Sequence, residues 1–430
     1  MQTQRTETFP SLSRMSSSLT AERTSVAPHV NAGGPATRLT ALDGLRGVAA
    51  VVVVLYHLYL VAEPVLRRQG GSGVGSPLWW VSQTPLKLVT SGSEAVLVFF
   101  VLSGLVVALP ALKPGGFSWS GFLSGRLVRL YLPVWASIAI GTLLIWMIPR
   151  HDSAVGQGTW MDNSQATSTS WSTFLTEASL TRASYDLNNV LWSLRWELLF
   201  SVLLPLFVAA AIFSSRYWVV ALAAAIALST IGVLSGIDGL RYLPVFFIGT
   251  LMAVRLDAIR EWTRRRLLRA RSTLWGLALT GIALLLLICQ WLLRPVVPAG
   301  SVANTLLAQL SVLGAAGLVL AAIGVAPVRT ALEARPLQWL GRISFSLYLI
   351  HMPLLATLTF MFGDDRWWLV ALITVPLAVL AAWGFNWLIE GPSQRLARHI
   401  SGSVSRRLDA HRAGGAHDRS VSGSAAKSGR

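Results

Sequence analysis

Charge is scarce in this chain. Asp, Glu, Lys and Arg together make up 13% of its 430 residues, about half the share usual in a soluble globular protein. Cysteine is nearly absent: the single Cys289 excludes an intramolecular disulfide and any cysteine-cluster metal site. Also missing are the Gly-x-Ser-x-Gly elbow, the Gly-Lys-Ser/Thr phosphate loop, the His-Glu-x-x-His zinc motif and the dinucleotide fingerprint. Those absences remove the common soluble routes to hydrolysis, nucleotide use and redox chemistry, and no metal is expected. No internal repeat of the kind that marks many secondary transporters is visible.

What is abundant is apolar. Hydrophobic residues account for 53% of the chain and the mean hydropathy is +0.57. Ten apolar runs recur, at roughly 42–62, 94–112, 130–149, 190–213, 217–236, 240–256, 274–293, 302–325, 343–362 and 367–390. Each has about the length that a ~30 Å hydrocarbon core requires. The expected fold is all-α, a polytopic membrane helix bundle of about ten transmembrane helices over residues 39–392. The sixth run is the shortest and holds Pro244 and Gly249, so a kink or a place beside a cavity is expected there. Residues 1–38 and 393–430 are rich in small and basic residues and are expected to be disordered cytoplasmic tails, the first without the apolar core of a cleaved signal.

The net charge of +17 would suit a nucleic-acid partner, but its distribution points to a bilayer instead. With the N-terminus inside, the tails and loops on the inner side collect 25 Lys and Arg and the opposite side eight. That asymmetry predicts both termini in the cytoplasm. The arginine-rich stretch 260–271 is expected to be a solvated cytoplasmic loop.

Against this apolar background a few polar groups stand out. In the first run Arg46 and His57 are eleven residues apart, which is three helical turns plus about 20° and places them on one stripe. Asp43 falls close to the same line. Charge near a membrane centre costs roughly 2.5–3.5 kcal/mol per Arg or Asp, so such groups persist where they pair or where they work. The fourth run carries Ser193, Arg195 and Glu197, the ninth Ser344, Tyr348 and His351 at spacings of four and three. Hydrogen bonding between helices is the plain alternative for Glu197 and His351, and for Ser103-Gly104 close helix packing is the expected role. Arg126 and Arg129, three apart at the cytoplasmic start of the third run, suit the phosphates of a ligand or simple anchoring of the helix.

These stretches together resemble the acyltransferase-3 family of integral membrane acyltransferases. The resemblance runs in order over about 350 residues, from LTALDGLRGVAAVVVVLYH through FFVLSG, RLVRLYLP, LWSLRWELLF and GRISFSLYLIHMPLL to LIEGP. Leu105, Pro133, Arg195 and Leu198 depart from the pattern, which bears on acyl-chain and acceptor preference. The resemblance implies transfer of an acyl group, expected to be acetyl, from acyl-CoA to a hydroxyl of a glycan, lipid-linked sugar or sugar-bearing metabolite. Acyl-CoA would be a donor substrate with no permanently bound cofactor, and the location a bacterial plasma membrane. Attack by a hydroxyl on a thioester needs a base near neutrality, and histidine supplies it. His57 is the expected base, Glu197 its orienting carboxylate, and Arg46 with Asp43 the charged part of the same stripe. Arg126 and Arg129 would hold the CoA phosphates, and Ser344, Tyr348 and His351 the acceptor side. A proton-coupled transporter and a purely structural membrane protein are the rival readings, since both use intramembrane polar groups.

Overall fold

The computed structural model describes residues 39–407, apart from 115–116, 182–184 and 268–269. The tails at 1–38 and 408–430, and Arg182, lie outside the described residues. Among the described residues every regular element is helical. In chain order these are α1 (Thr40–Gly70), α2 (Pro77–Gln83), α3 (Gly92–Ala108), α4 (Trp119–Met147), α5 (Trp160–Ser164), α6 (Trp171–Ala178), α7 (Leu191–Ser214) and α8 (Trp218–Ser235). There follow α9 (Asp238–Val254), α10 (Leu256–Leu267), α11 (Ala270–Leu292), α12 (Val302–Gly324), α13 (Ala326–Leu332), α14 (Arg335–Phe362), α15 (Trp367–Phe385) and α16 (391–407).

Among the described residues, eight helical segments are long and apolar enough to cross a membrane, nine with the bent pair α9–α10. The sequence predicts ten, and the difference lies in Leu191–Ser235, a 45-residue helical stretch that holds two of the runs. Its two halves point in opposite directions. Trp192 meets Tyr242, Phe207 meets Phe247 and Arg255 donates to the carbonyl of Ser215, so α7 runs parallel to α9. Ser229 donates to the carbonyl of Arg241 and Arg255 lies over Trp218, so α8 runs antiparallel to it. The chain therefore reverses at Ser215–Tyr217.

Two other expectations are corrected, while a third holds: the sixth run is bent, by 67° between α9 and α10 at its end rather than at Pro244 inside α9. The stretch after it is a helix rather than a loop, because Glu261 accepts from Arg264 and Arg265 one turn on while Leu256 and Thr263 on the other face are buried. The C-terminal segment does not become irregular at 393: helix continues to residue 407. It is held against the start of α4, where a Cβ on Gly121 would meet Ser405 and one on Gly125 would meet Ala397 and Ser401. Those two glycines, four apart, make the groove that keeps α16 folded.

The centre of the bundle is the pair α1 and α14. Their backbones touch because glycine lines the crossing: a Cβ on Gly47 would sit 2.6 Å from the amide nitrogen of Gly341, and one on Gly341 2.2 Å from the carbonyl oxygen of Asp43. Small residues of this kind let membrane helices approach where no hydrophobic effect drives them together. The same device joins α3 to α9, where Cβ atoms on Gly104 and Gly249 would strike the carbonyls of Phe246 and Val101. That is the packing role expected of Ser103-Gly104 for its glycine half.

Candidate active site

Helices α1 and α14 run side by side in the same direction, and their polar stripes meet twice. Near the start, Arg46 Nε donates to Ser344 Oγ at 3.1 Å, and its Nη2 reaches the carbonyl of Gly341 and Oδ1 of Asp43, each at 3.3 Å. About three turns further along α1, His57 Nδ1 lies 3.1 Å from His351 Nε2. Both imidazoles are buried, His351 completely. The sequence placed each histidine on a stripe; the fold brings the two stripes face to face.

Hydrogen bonds on the pair fix its tautomers. His351 Nδ1 lies 2.9 Å from the carbonyl of Leu347, and a carbonyl only accepts, so Nδ1 carries the proton. In neutral His351 the Nε2 is then bare and accepts from His57 Nδ1–H. This leaves His57 Nε2 with a free lone pair, the atom of the pair able to take a proton. The indole of Trp160 packs against the same ring with centroids 5.2 Å apart. Next to His351, the hydroxyls of Tyr348 and Ser193 meet at 2.6 Å and both reach the carbonyl of Val190. Tyr348 thus ties the first turn of α7 to the histidine pair.

Glu197 stands elsewhere. It accepts from Arg126 and, at 3.1 Å, from Ser103, and Arg126 also donates to Ser201. This carboxylate is therefore not the partner of His57, whose hydrogen-bonded neighbours are the His351 imidazole and the backbone of Val53. The physical reason is that an arginine three helices away in sequence is the stronger ligand for a carboxylate. Arg126 is accordingly committed and largely buried, whereas Arg129, one turn on, is exposed. Arg129 is close enough to Arg46 and Arg126 to repel both, and Glu390 and Glu197 offset the charge on Arg46. The result is a charged cluster of three arginines and three carboxylates, Asp43, Glu197 and Glu390, in which Arg129 is exposed and Arg46 exposed in part, at the end of the bundle where α1 begins.

Several polar residues of this region gave no periodic signal. Trp160 and Asn188 lie in the polar stretch between α4 and α7. Asn188 is fully buried and its amide donates to the carbonyl of Leu349 at 2.9 Å, two residues from His351. The backbone N–H groups of Asp186, Leu187 and Asn188 all donate to Glu177. Burial pushes the Glu177 carboxyl up to about 7 in spite of those donors. At the same end of the bundle Lys87 is buried with its ammonium over Tyr59 and Trp291, and burial lowers it to about 8. Trp291 and Gln290 in turn donate to Glu94. Nothing in the stretch PLKLVT around Lys87 marks that lysine for an aromatic pocket.

A family model described as an acyltransferase domain matches residues 39–387. No curated protein and no solved structure matches the chain.

Proposed function

The chain belongs to the acyltransferase-3 family, and we propose that it moves an acyl group from acyl-CoA to a hydroxyl of a glycan, glycolipid or sugar-bearing metabolite. It is a multi-pass membrane acyltransferase; the donor, the acetyl group, the acceptor class and a bacterial plasma membrane belong to the proposal. The observation that carries it is the contact of His57 with His351, which leaves His57 Nε2 bare in a buried site.

The chemistry follows from that atom. His57 Nε2 removes the proton of the acceptor hydroxyl as its oxygen attacks the thioester carbon. The tetrahedral intermediate collapses, the carbon–sulfur bond breaks, and the CoA sulfur takes the proton back from His57. While His57 is protonated, His351 Nε2 accepts from its Nδ1–H and holds the ring in register, the orienting task that a carboxylate performs in other sites. Exposed Arg129 supports the reading of a donor site at this end: it would meet the phosphates of CoA, with Arg46, held by Ser344 and Asp43 but a third exposed, behind it. Arg126 and Glu197 form the wall on which these two arginines rest. Tyr348 and Ser193, beside His351, line the route of the acceptor.

Purified protein in detergent, given acetyl-CoA and a panel of hydroxyl acceptors, should release free CoA thiol in step with acylated product. Absence of both with every acceptor, from protein that is folded and intact, would remove the acyl-CoA reading.

A further inference from the structure

On the far side of α7 from the histidine pair lies a cavity of about 270 Å³ lined by Trp192, Arg195, Trp196, Asp238, Arg241 and Tyr242. It opens outward, since Asp238 and Arg241 are exposed. Its floor is aromatic and fixed: Trp192 and Tyr242 both pack edge-on against Phe100 in α3. Neither guanidinium has a carboxylate partner among the described residues; Arg195 lies over Trp196 at 4.8 Å and Arg241 over Tyr242 at 4.9 Å. Ser193, between Trp192 and Arg195 in the same turn, faces the other way to Tyr348.

The volume is just below the roughly 300–1,000 Å³ of pockets for drug-sized ligands, which is room for one ring rather than a chain. The rings of Trp192 and Trp196 are tilted from Tyr242 by 45° and 42°. Trp196 is buried and the guanidiniums cover Trp196 and Tyr242, so the ring surface left to a ligand is that of half-buried Trp192, which suits the C–H face of one saturated ring. Two unpaired guanidiniums against one carboxylate call for an oxyanion on that ring, and Asp238 is placed to accept from its hydroxyls.

We propose that this cavity is a recognition site for the acceptor, taking a single sugar ring that carries an acidic group, carboxylate or phosphate. The proposal rests on the acyltransferase reading above for its purpose but not for its test. One turn of α7 then serves both ends of the reaction. Its outer face holds the sugar, and its inner face, through Ser193 and Tyr348, borders His351.

The test is equilibrium calorimetry on the full-length detergent-purified protein with glucuronate, glucose 1-phosphate, glucose, inorganic phosphate and coenzyme A as probes. Glucuronate, glucose 1-phosphate or both should bind, and which of them binds tells carboxylate from phosphate. Glucose and inorganic phosphate should each bind about tenfold more weakly or worse, as expected for losing a charge-assisted pair or the ring contact. Arg241→Gln, a change at an exposed side chain, should weaken the acidic sugar by about tenfold, and Trp192→Leu should weaken glucose as well. Equal binding of all probes, no binding of either acidic sugar, or displacement of glucuronate by coenzyme A would each overturn the proposal. Calorimetry reads binding without turnover, so an inactive protein that still binds glucuronate would sink the acyl-CoA reading and leave this one standing.

Discussion

His57 Nδ1 and His351 Nε2 are 3.1 Å apart, with His351 Nδ1 bonded to the carbonyl of Leu347. Two imidazoles so placed share one proton between them and leave His57 Nε2 as the open site. The roles of the two residues are therefore unequal, and substitution should show it. His57→Ala should lower kcat by about 10²–10⁴-fold, the usual cost of losing a general base. His351→Gln keeps an acceptor near His57 Nδ1 and should retain more activity than His351→Ala. Steady-state kinetics on the purified variants decide this; equal losses in His351→Gln and His57→Ala would remove the division of labour.

Arg126 and Arg129 should separate cleanly. Arg126 is paired with Glu197 and largely buried, and breaking a buried ion pair by removing one partner costs about 3–5 kcal/mol. Arg126→Gln and Glu197→Gln should each lower the thermal midpoint, and the double variant should fall by less than the sum of the two. Arg129→Gln should leave the midpoint close to wild type and raise KM for acyl-CoA more than kcat changes, the mark of lost ground-state binding. Thermal unfolding and donor titrations at fixed ionic strength measure both. A KM that moves only in Arg126→Gln would reverse the assignment.

The excess of Lys and Arg on one side, 25 against eight, predicts both termini in the cytoplasm. Gly158 lies in the segment between α4 and α7, and Arg265 on α10, so reporter fusions at the two should register opposite sides. The same side for both would break the assignment of the α7–α8 reversal or of the α9–α10 bend.

Much of this architecture was legible because period and burial agree. Arg46 and His57 share a stripe by helical geometry alone, and Ser344, Tyr348 and His351 do likewise, so each half of the histidine pair was visible before the halves met. What no spacing encodes is the partner across helices. Glu197 lies 71 residues from Arg126, and nothing local prefers that arginine to His57 as its neighbour. Trp160 and Asn188 sit in a polar stretch without periodicity, where position depends on the helices around it. Composition alone points to a loop at 260–271, although Glu261 and Arg265 stand at the i, i+4 spacing that supports a helix.

The glycines at the α1–α14 crossing give a test of the scaffold. A Cβ on Gly341 would press on the backbone of Asp43 at 2.2 Å, which no rotamer change relieves. Gly341→Leu should push the helices apart and move Ser344 away from Arg46, with loss of both thermal stability and activity. Gly281, with open space around its Cβ position, should accept alanine with little change in midpoint. Thermal unfolding of the two variants makes the comparison, and an equal midpoint for Gly341→Leu and wild type would show that the crossing is not tight.

Glu177 sets a pH dependence on the segment that carries Asn188 to α14. In the unfolded chain its carboxyl loses its proton near the ordinary 4.5, and in the fold only near 7, because burial disfavours the charge. Between those values the folded protein holds a proton that the unfolded chain has released. Stability is then greatest on the acid side of the window and declines as pH rises through it, levelling off above about 7. Glu177→Gln keeps one acceptor oxygen for the N–H groups of Asp186 and Leu187 but carries no charge, so this variant should lose that slope. Thermal midpoints of wild type and Glu177→Gln, taken between about pH 5 and about pH 8, should converge at the acid end as far as Gln replaces the protonated acid. The wild type should drop relative to the variant toward the alkaline end. Parallel curves for the two proteins would show that Glu177 stays ionised throughout, with its three backbone donors outweighing burial.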